Sequence, residues 1–377
     1  MQELRRTFLD TLGDVNKLVG LEIGALNRPV VQLSADNSEG QIFYLDHLST
    51  TGLRQKYEAD PAVDIDAIVN VDFICPDGNI LKAVGDKKFD YIVASHVVEH
   101  VPNPIQWLKD LFEILKPGGF LFLVVPDKRF TFDFQRPIST FGQMVEAYLN
   151  KQTIPSISAV YDQFSSALNV DGGKVWAGLI RNMDLLPLTS HSEAWSAAKA
   201  VHSAKTYFDV HVSIFTPWSF FGIIERLIEN QILFCQVCGF NDTQPGQIEF
   251  MVSLKKPEPT HLKISKVCLE SIPTIPFESF TAPYMGQIKS LTESFKTLTE
   301  SFKTLTESFK TLNDIFHQTA FELAQEKERS EHIHTLLHEA HKKINAEQAQ
   351  RQNAESHLRR RSVRLALRIS HYLNFWR

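Results

Sequence analysis

The residues able to do chemistry form a spaced series. Glu22 stands two positions before Gly24 at the end of an apolar run, Asp46 ends the next such run and Asp72 the one after. A carboxylate at a strand end can accept the two hydroxyls of a ribose, as at Asp46, or an adenine amino group, as at Asp72, and a tight glycine turn lets backbone N–H groups approach a nucleotide-like ligand. Each acid alone is equally explained as a helix cap; three at successive strand ends point to a ligand. Further on come Ser95, the run His96-Val97-Val98-Glu99-His100, Asp127 and His211. Imidazole titrates near neutrality and is the natural group to take a proton from a hydroxyl.

Two patterns carry the look of metal chemistry. His96-Val97-Val98-Glu99-His100 fits the H-x-x-E-H zinc spacing, which requires all three ligands on one helix. Pro102 and Pro104 end any such helix after one turn, so no metal ion is expected. Cys235 and Cys238 lie three apart on an expected strand and point to opposite faces, so both are expected as buried structural thiols. His334, His338 and His341 share one helical face, expected to be a solvated polar face.

The elements that position these groups are short apolar runs alternating with amphipathic stretches from Leu18 to about Lys256, the signature of an α/β fold with a parallel sheet. Strands are expected at 18–23, 41–46, 67–72, 89–94 and 120–125, and a helix at 105–115 stopped by Lys116-Pro117-Gly118-Gly119. Segments 231–240 and 248–254 flank a turn rich in Asp, Pro and Gly and predict a closing antiparallel hairpin.

Beyond residue 256 the composition shifts. Residues 257–287 hold five prolines and read as a linker. Thr-Glu-Ser-Phe-Lys-Thr-Leu then occurs three times unchanged, at 292–298, 299–305 and 306–312, so apolar residues recur three and four apart as in a coiled coil. Phe295, Phe302, Phe309 and Phe316 occupy one core position and Leu298, Leu305 and Leu312 the other. The register runs on through Leu323, Ile333, Leu337, Ala340 and Ile344, weakened at Thr319, Glu326 and Ser330. A coiled coil over 288–344 would be a rod of roughly 85 Å, and self-association through it is expected. Residues 345–377 read as a basic amphipathic helix. From Ser356 onward it carries six arginines, no acid, and apolar residues ending in Phe375 and Trp376, a chemistry suited to an anionic membrane surface.

Whole-chain numbers conceal this asymmetry. The 377 residues have a net charge of −5, which excludes a globally basic nucleic-acid binder, yet the rest of the chain has 33 basic against 44 acidic residues while the tail adds six arginines. The excess of 27 Phe over 8 Tyr and 5 Trp belongs partly to the heptads. Four cysteines make no disulfide framework, and the first twenty residues lack the apolar core of a secretory signal, so a cytoplasmic location is expected, peripheral on the inner face of the plasma membrane through the tail.

Together, Glu22-Ile23-Gly24, Asp46, Asp72-Phe73, the run from Phe89 to Val101 and Leu115-Lys116-Pro117-Gly118-Gly119 resemble the ordered motifs of class I S-adenosylmethionine-dependent methyltransferases over about residues 15–256. The blocks 126–133 and Asp209-Val210-His211 with Phe215-Thr216-Pro217 are similar to a bacterial subgroup found with glycosyltransferases. The resemblance implies a Rossmann-like, mostly parallel seven-stranded sheet with an antiparallel last strand. It implies S-adenosylmethionine as cofactor, with Glu22 and Gly24 at its methionine part, Asp46 at the ribose, Asp72 and Phe73 at the adenine, and Ser95 and His96 where cofactor and acceptor meet. The acceptor site is expected in segment 134–209, and His100, His96, His211 and Asp127 are the candidate bases. A domain, rod and membrane-binding tail in this order is similar to chain-terminating proteins of bacterial O-antigen synthesis. The implied activity is methylation of a sugar hydroxyl or phosphate on a surface polysaccharide or its lipid-linked precursor. The alternative is a degenerate fold recruiting glycosyltransferases as a scaffold, because the first loop has one glycine where the family has two or three.

Overall fold

A computed structural model of the chain describes residues 2–10, 13–33, 39–177, 179, 185–258, 264–275, 278–325 and 330–375. The chain divides into two compact units, Met1–Gly286 and Gln287–Arg377.

The first unit is built on a seven-stranded sheet: β1 (Val19–Ile23), β2 (Gln41–Asp46), β3 (Phe73–Ile74), β4 (Phe89–Ser95), β5 (Leu115–Pro126), β6 (Gln236–Asn241) and β7 (Glu249–Lys255). Their order across the sheet is β3-β2-β1-β4-β5-β7-β6. Strands β1 to β5 pair in parallel, and β7 runs antiparallel to both β5 and β6. This is the Rossmann-like, doubly wound sheet of class I methyltransferases, with the expected closing hairpin. The order reverses between β1 and β4, and at such a switch point the carboxyl ends of the strands diverge to leave a ligand crevice.

The sheet forms where it does because its central strands are apolar on both faces: Tyr91, Ile92, Val93 and Ala94 of β4 and Leu121 to Val125 of β5 are all buried. Helix Pro104–Ile114 starts with Asn103, whose side chain accepts the Gln106 N–H, and with Pro104 in the first turn. It buries Ile105, Leu108, Leu111 and Phe112 on the sheet. A Cβ at Gly20 would come 2.1 Å from the Tyr91 ring, so only glycine lets that ring lie over β1.

Three expectations change. The third strand is not 67–72 but Phe73–Ile74, because Asp72 uses its carboxylate on the Tyr44 N–H at 2.8 Å and pairing with β2 begins only afterwards. Segment 257–287 is not a bare linker. Helix Ile264–Glu270 buries Cys268, while Ile264, Leu269, Ile272 and Ile275 pack on the main core, a spacing of three and four that its prolines had obscured. The rod is not one helix either.

The second unit holds helices Glu278–Gln325 and Ser330–Phe375. They run back along each other: the Phe316 ring lies 5.9 Å from that of His341, and the Arg351 guanidinium lies 5.9 Å from the Phe302 ring. The division falls where Thr319, Glu326 and Ser330 take core positions and the apolar stripe lapses. His338 and His341 lie on exposed positions, as expected of a polar face. The side chains of Leu323, Ile333, His334, Leu365, Arg368, Ile369 and 371–377 fall outside the described residues. Among the described residues, no helix is long and apolar enough to cross a membrane.

Candidate active site

The crevice is framed by the ends of β1, β2 and β4. Gly24 follows β1 with φ of +68°, a left-handed turn natural to glycine, and donates its N–H to Leu45 O at 3.0 Å. Asp46 closes β2. Its Oδ1 accepts the His47 N–H at 2.7 Å and lies 2.6 Å from His47 Nδ1, while Oδ2 has no partner among the described residues. That free oxygen is the acceptor a vicinal diol needs.

Glu22 does something other than line the crevice. It is 1% exposed and accepts the N–H groups of Val30 at 2.6 Å and Val31 at 3.1 Å, tying the loop after Gly24 back to β1. Burial, only partly offset by these two bonds, pushes its carboxyl up to about 7. Asp72 and Phe73 are likewise engaged elsewhere. Asp72 precedes β3 and holds Tyr44, and Phe73 packs at 5.6 Å from Phe43 and 6.5 Å from Phe89. The residues that do follow β3 are Cys75, Pro76, Asp77 and Gly78, missed in the sequence although the Asp-Gly pair at 77–78 is a turn signal.

At the end of β4, Ser95 is half-buried and His96 adopts φ of +55°, a region costing a non-glycine residue about 1–2 kcal/mol. Two contacts hold it there: its N–H donates to Val124 O at 2.9 Å, and its Nε2 lies 2.7 Å from Glu249 Oε2. Burial opposes the charged ring, but the hydrogen bonds with Glu249 and Glu99 prevail and raise its pKa to about 9. His96 is therefore an imidazolium at neutral pH rather than a free base.

Residues 98–100 form one 3-10 turn before Val101, the short element the two prolines predict. Onto it folds the strand-like segment 209–214, returning from the inserted helices Phe141–Leu149, Ile157–Ser166, Gly172–Trp176 and His191–Ala204. The N–H groups of Val212 and Ser213 both donate to Glu99 O, at 2.6 and 3.0 Å. This clamp stacks the His211 ring edge-on against His100 at 4.7 Å. His100 Nδ1 lies 2.8 Å from Asp209 Oδ1, and His211 Nδ1 lies 2.5 Å from Asp133 Oδ2. The His100 pair holds the Asp209 carboxyl far below its ordinary range, with Lys56 at 3.4 Å adding to the effect. Asp133 sits below its ordinary range too: burial alone would raise it, but His211 and Arg136 outweigh that.

Asp127 is not a base. It is fully buried, its carboxylate forks onto Arg129 at 2.6 and 3.0 Å, and it accepts the Thr243 hydroxyl at 2.8 Å, so every lone pair facing the interior is occupied by a structural network. Cys235 is buried as expected, whereas Cys238 is exposed.

A cavity of about 290 Å³ opens beside the 209–214 clamp, lined by Arg136, Ser139, Gln143, Glu146, Asp162 and Ser213 among others. Arg136 connects the two places, donating to His211 O at 2.9 Å.

The family model described as "Methyltransferase domain" matches residues 17–175. A ubiquinone biosynthesis O-methyltransferase of Parvibaculum lavamentivorans is 32% identical over 111 residues, 28% of this chain and 37% of that protein. The mitochondrial ubiquinone biosynthesis O-methyltransferase of Dictyostelium discoideum is 38% identical over 52 residues, 14% of this chain and 16% of that protein. The chain thus spans little more than a third of the curated relatives it matches. Among solved structures, a SAM-dependent methyltransferase from Aquifex aeolicus is 11% identical with a TM-score of 0.34, over 67% of this chain and 89% of that one.

The site's donor set fits S-adenosylmethionine: a glycine turn at the end of β1 and a carboxylate at the end of β2 with one oxygen open to a ribose diol. The chain carries a methyltransferase domain over residues 17–175, of the class that takes S-adenosylmethionine as its cofactor.

Proposed function

We propose that the protein is an S-adenosylmethionine-dependent O-methyltransferase whose acceptor is a hydroxyl or phosphate of a carbohydrate, on a surface polysaccharide or its lipid-linked precursor. The observation that carries this reading is the convergence at one switch point of the open Asp46 carboxylate and the His100–His211 pair. The cofactor supplies an electrophilic methyl group on a sulfonium. Asp46 and the Gly24 turn would hold it, and the chain's remaining task is to place the acceptor oxygen in line and manage its proton. The Glu99, His100 and His211 cluster is the place where that proton is managed, because Asp209 and Asp133 fix the two rings through Nδ1.

The polar cavity supports a carbohydrate acceptor. Its hydroxyl, amide, carboxylate and guanidinium groups match the alternating donors and acceptors of a sugar, and an aromatic ubiquinone-type acceptor would call for more apolar walls. The curated relatives act in ubiquinone biosynthesis, and an O-linked acceptor is what the two readings share. The arginine-rich tail supports work at an anionic membrane surface, and the heptads support a homo-oligomer. Glycosyltransferases of the same pathway are the protein partners this setting implies.

Calorimetric titration of the full chain with S-adenosylmethionine and its demethylated product tests the reading. Micromolar binding of both is expected, and absence of binding at millimolar cofactor by a folded chain rejects it. That second outcome would favour the scaffold reading, which rests on the single glycine of the first loop and on Glu22 being tied to Val30 and Val31.

A further inference from the structure

We propose that Glu99, His100 and His211 bind one divalent first-row transition cation. One ligand atom from each of the three lies within 4.8 Å of the other two. Bonds of about 2.0–2.2 Å place neighbouring ligand atoms roughly 3–3.4 Å apart, so a contraction of little more than 1 Å closes the site.

Three observations point to a cation. Glu99 is completely buried, and neither of its carboxylate oxygens has a hydrogen-bond partner. A buried carboxylate without a partner is costly, and such groups are normally paired or bound to metal. The nearest nitrogens, His96 Nδ1 at 3.5 Å from Oε1 and His100 Nε2 at 4.0 Å, make no hydrogen bond to it, and His96 is already engaged by Glu249. Second, both imidazoles have Nδ1 against a carboxylate, His100 on Asp209 and His211 on Asp133. A proton on Nδ1 leaves the Nε2 lone pair free to ligate, and this carboxylate–histidine support is the usual outer shell of a metal-bound histidine. Third, the ligands come from two segments locked together by the Val212 and Ser213 N–H bonds to Glu99 O, so the set is fixed before any ion arrives.

Two imidazoles and one carboxylate suit zinc, manganese or ferrous ions and leave coordination positions open. This is not the one-helix zinc pattern suggested by His96, Glu99 and His100, because His96 faces Glu249 and its place is taken by His211 from a segment more than a hundred residues later. Its catalytic use rests on the methyl-transfer reading above. The acceptor hydroxyl takes an open position on the ion, which lowers its pKa, and the proton leaves to water. The oxygen lone pair then forms the bond to the methyl carbon as the carbon–sulfur bond breaks, with that electron pair staying on sulfur.

The test needs neither cofactor nor acceptor. The full chain, stripped with chelator, is titrated with Mn²⁺ and with Zn²⁺ by calorimetry, and bound metal is counted after gel filtration. The wild type is expected to bind one equivalent that both Glu99→Gln and His211→Ala lose, with at least a thirtyfold fall in affinity. Glu99→Gln without metal is expected to melt no lower than the metal-free wild type, since it removes an unpaired buried charge, and to lose the rise in Tm that metal gives the wild type. Failure of the wild type to bind either ion below millimolar concentration, or full retention of the equivalent by Glu99→Gln, overturns the proposal. Cofactor titration of the same samples reports separately on the methyltransferase reading.

Discussion

The Glu22 carboxylate, buried inside β1, accepts the Val30 N–H at 2.6 Å, so a charged group in the sheet anchors the loop bordering the cofactor crevice. Its pKa is raised to about 7 by burial, so its contribution to stability is fully present below the unfolded value near 4.5 and is lost as pH rises through 7. Glu22→Gln keeps one acceptor and abolishes the titration. The stability difference between wild type and this variant is expected to change between pH 4.5 and 7 in urea unfolding, shifting against the wild type as pH rises. Glu22→Ala leaves the Val30 and Val31 N–H groups without an acceptor and is expected to cost about 2–4 kcal/mol at either end of that range. An unfolding difference independent of pH would refute the assignment.

Glu249 is the joint between the first helix and β4. Arg5 grips it through Nε at 2.7 Å and Nη2 at 2.5 Å, and His96 binds it from the other side. Burial alone would raise this carboxyl, but His96 and Arg5 pull it down to about 2, so its stabilisation is present above the unfolded value near 4.5 and is lost as pH falls through 2. Arg5→Ala removes one of the two cations from a nearly buried pair. It is expected to destabilise the chain by roughly 2–4 kcal/mol and to move acid unfolding to higher pH, both measurable by circular dichroism. Unchanged acid unfolding would show that Arg5 contributes nothing.

Asp46 and Asp72, alike in sequence, are expected to part company. Asp46→Ala removes the only carboxylate at a strand end with an open oxygen among those read as cofactor contacts, and cofactor affinity is expected to fall at least tenfold with little change in Tm. Asp72→Ala removes an exposed cap on Tyr44, and is expected to lower Tm by a degree or two while leaving affinity within twofold. Equal losses of affinity in the two variants would return Asp72 to the adenine.

The contrast shows which parts of the site were legible. Strands β1, β2 and β4 announce themselves because burial on both faces forces continuous apolar runs, and Asp46 follows from the end of such a run. β3 is two residues long, too short for periodicity, and its boundary is set by where the Asp72 side chain bonds, which is a tertiary event. Glu22 was legible as a functional acid, but its direction was not, since its partners Val30 and Val31 lie in a loop without a pattern. His211 could be singled out by its block. Its meeting with Glu99 depends on backbone bonds from Val212 and Ser213, and no side-chain spacing encodes those.

The heptads make the last prediction. With the second helix alongside, Leu298, Leu305 and Leu312 remain 38%, 44% and 40% exposed, and Phe295 41%. An apolar stripe of this regularity is stable in water only when covered, and the three identical heptads offer a second copy of the chain a surface complementary in spacing. Burial of one such leucine stabilises an interface by about 1.5–3 kcal/mol. Leu305→Lys with Leu312→Lys places like charges in the seam and is expected to convert an oligomer into a monomer in sedimentation velocity, with cofactor binding by the first unit unchanged. Deletion of residues 356–377 is expected to leave the oligomer intact and to remove cosedimentation with vesicles containing anionic lipid. A wild-type chain that sediments as a monomer at tens of micromolar would mean that the stripe is covered within one chain.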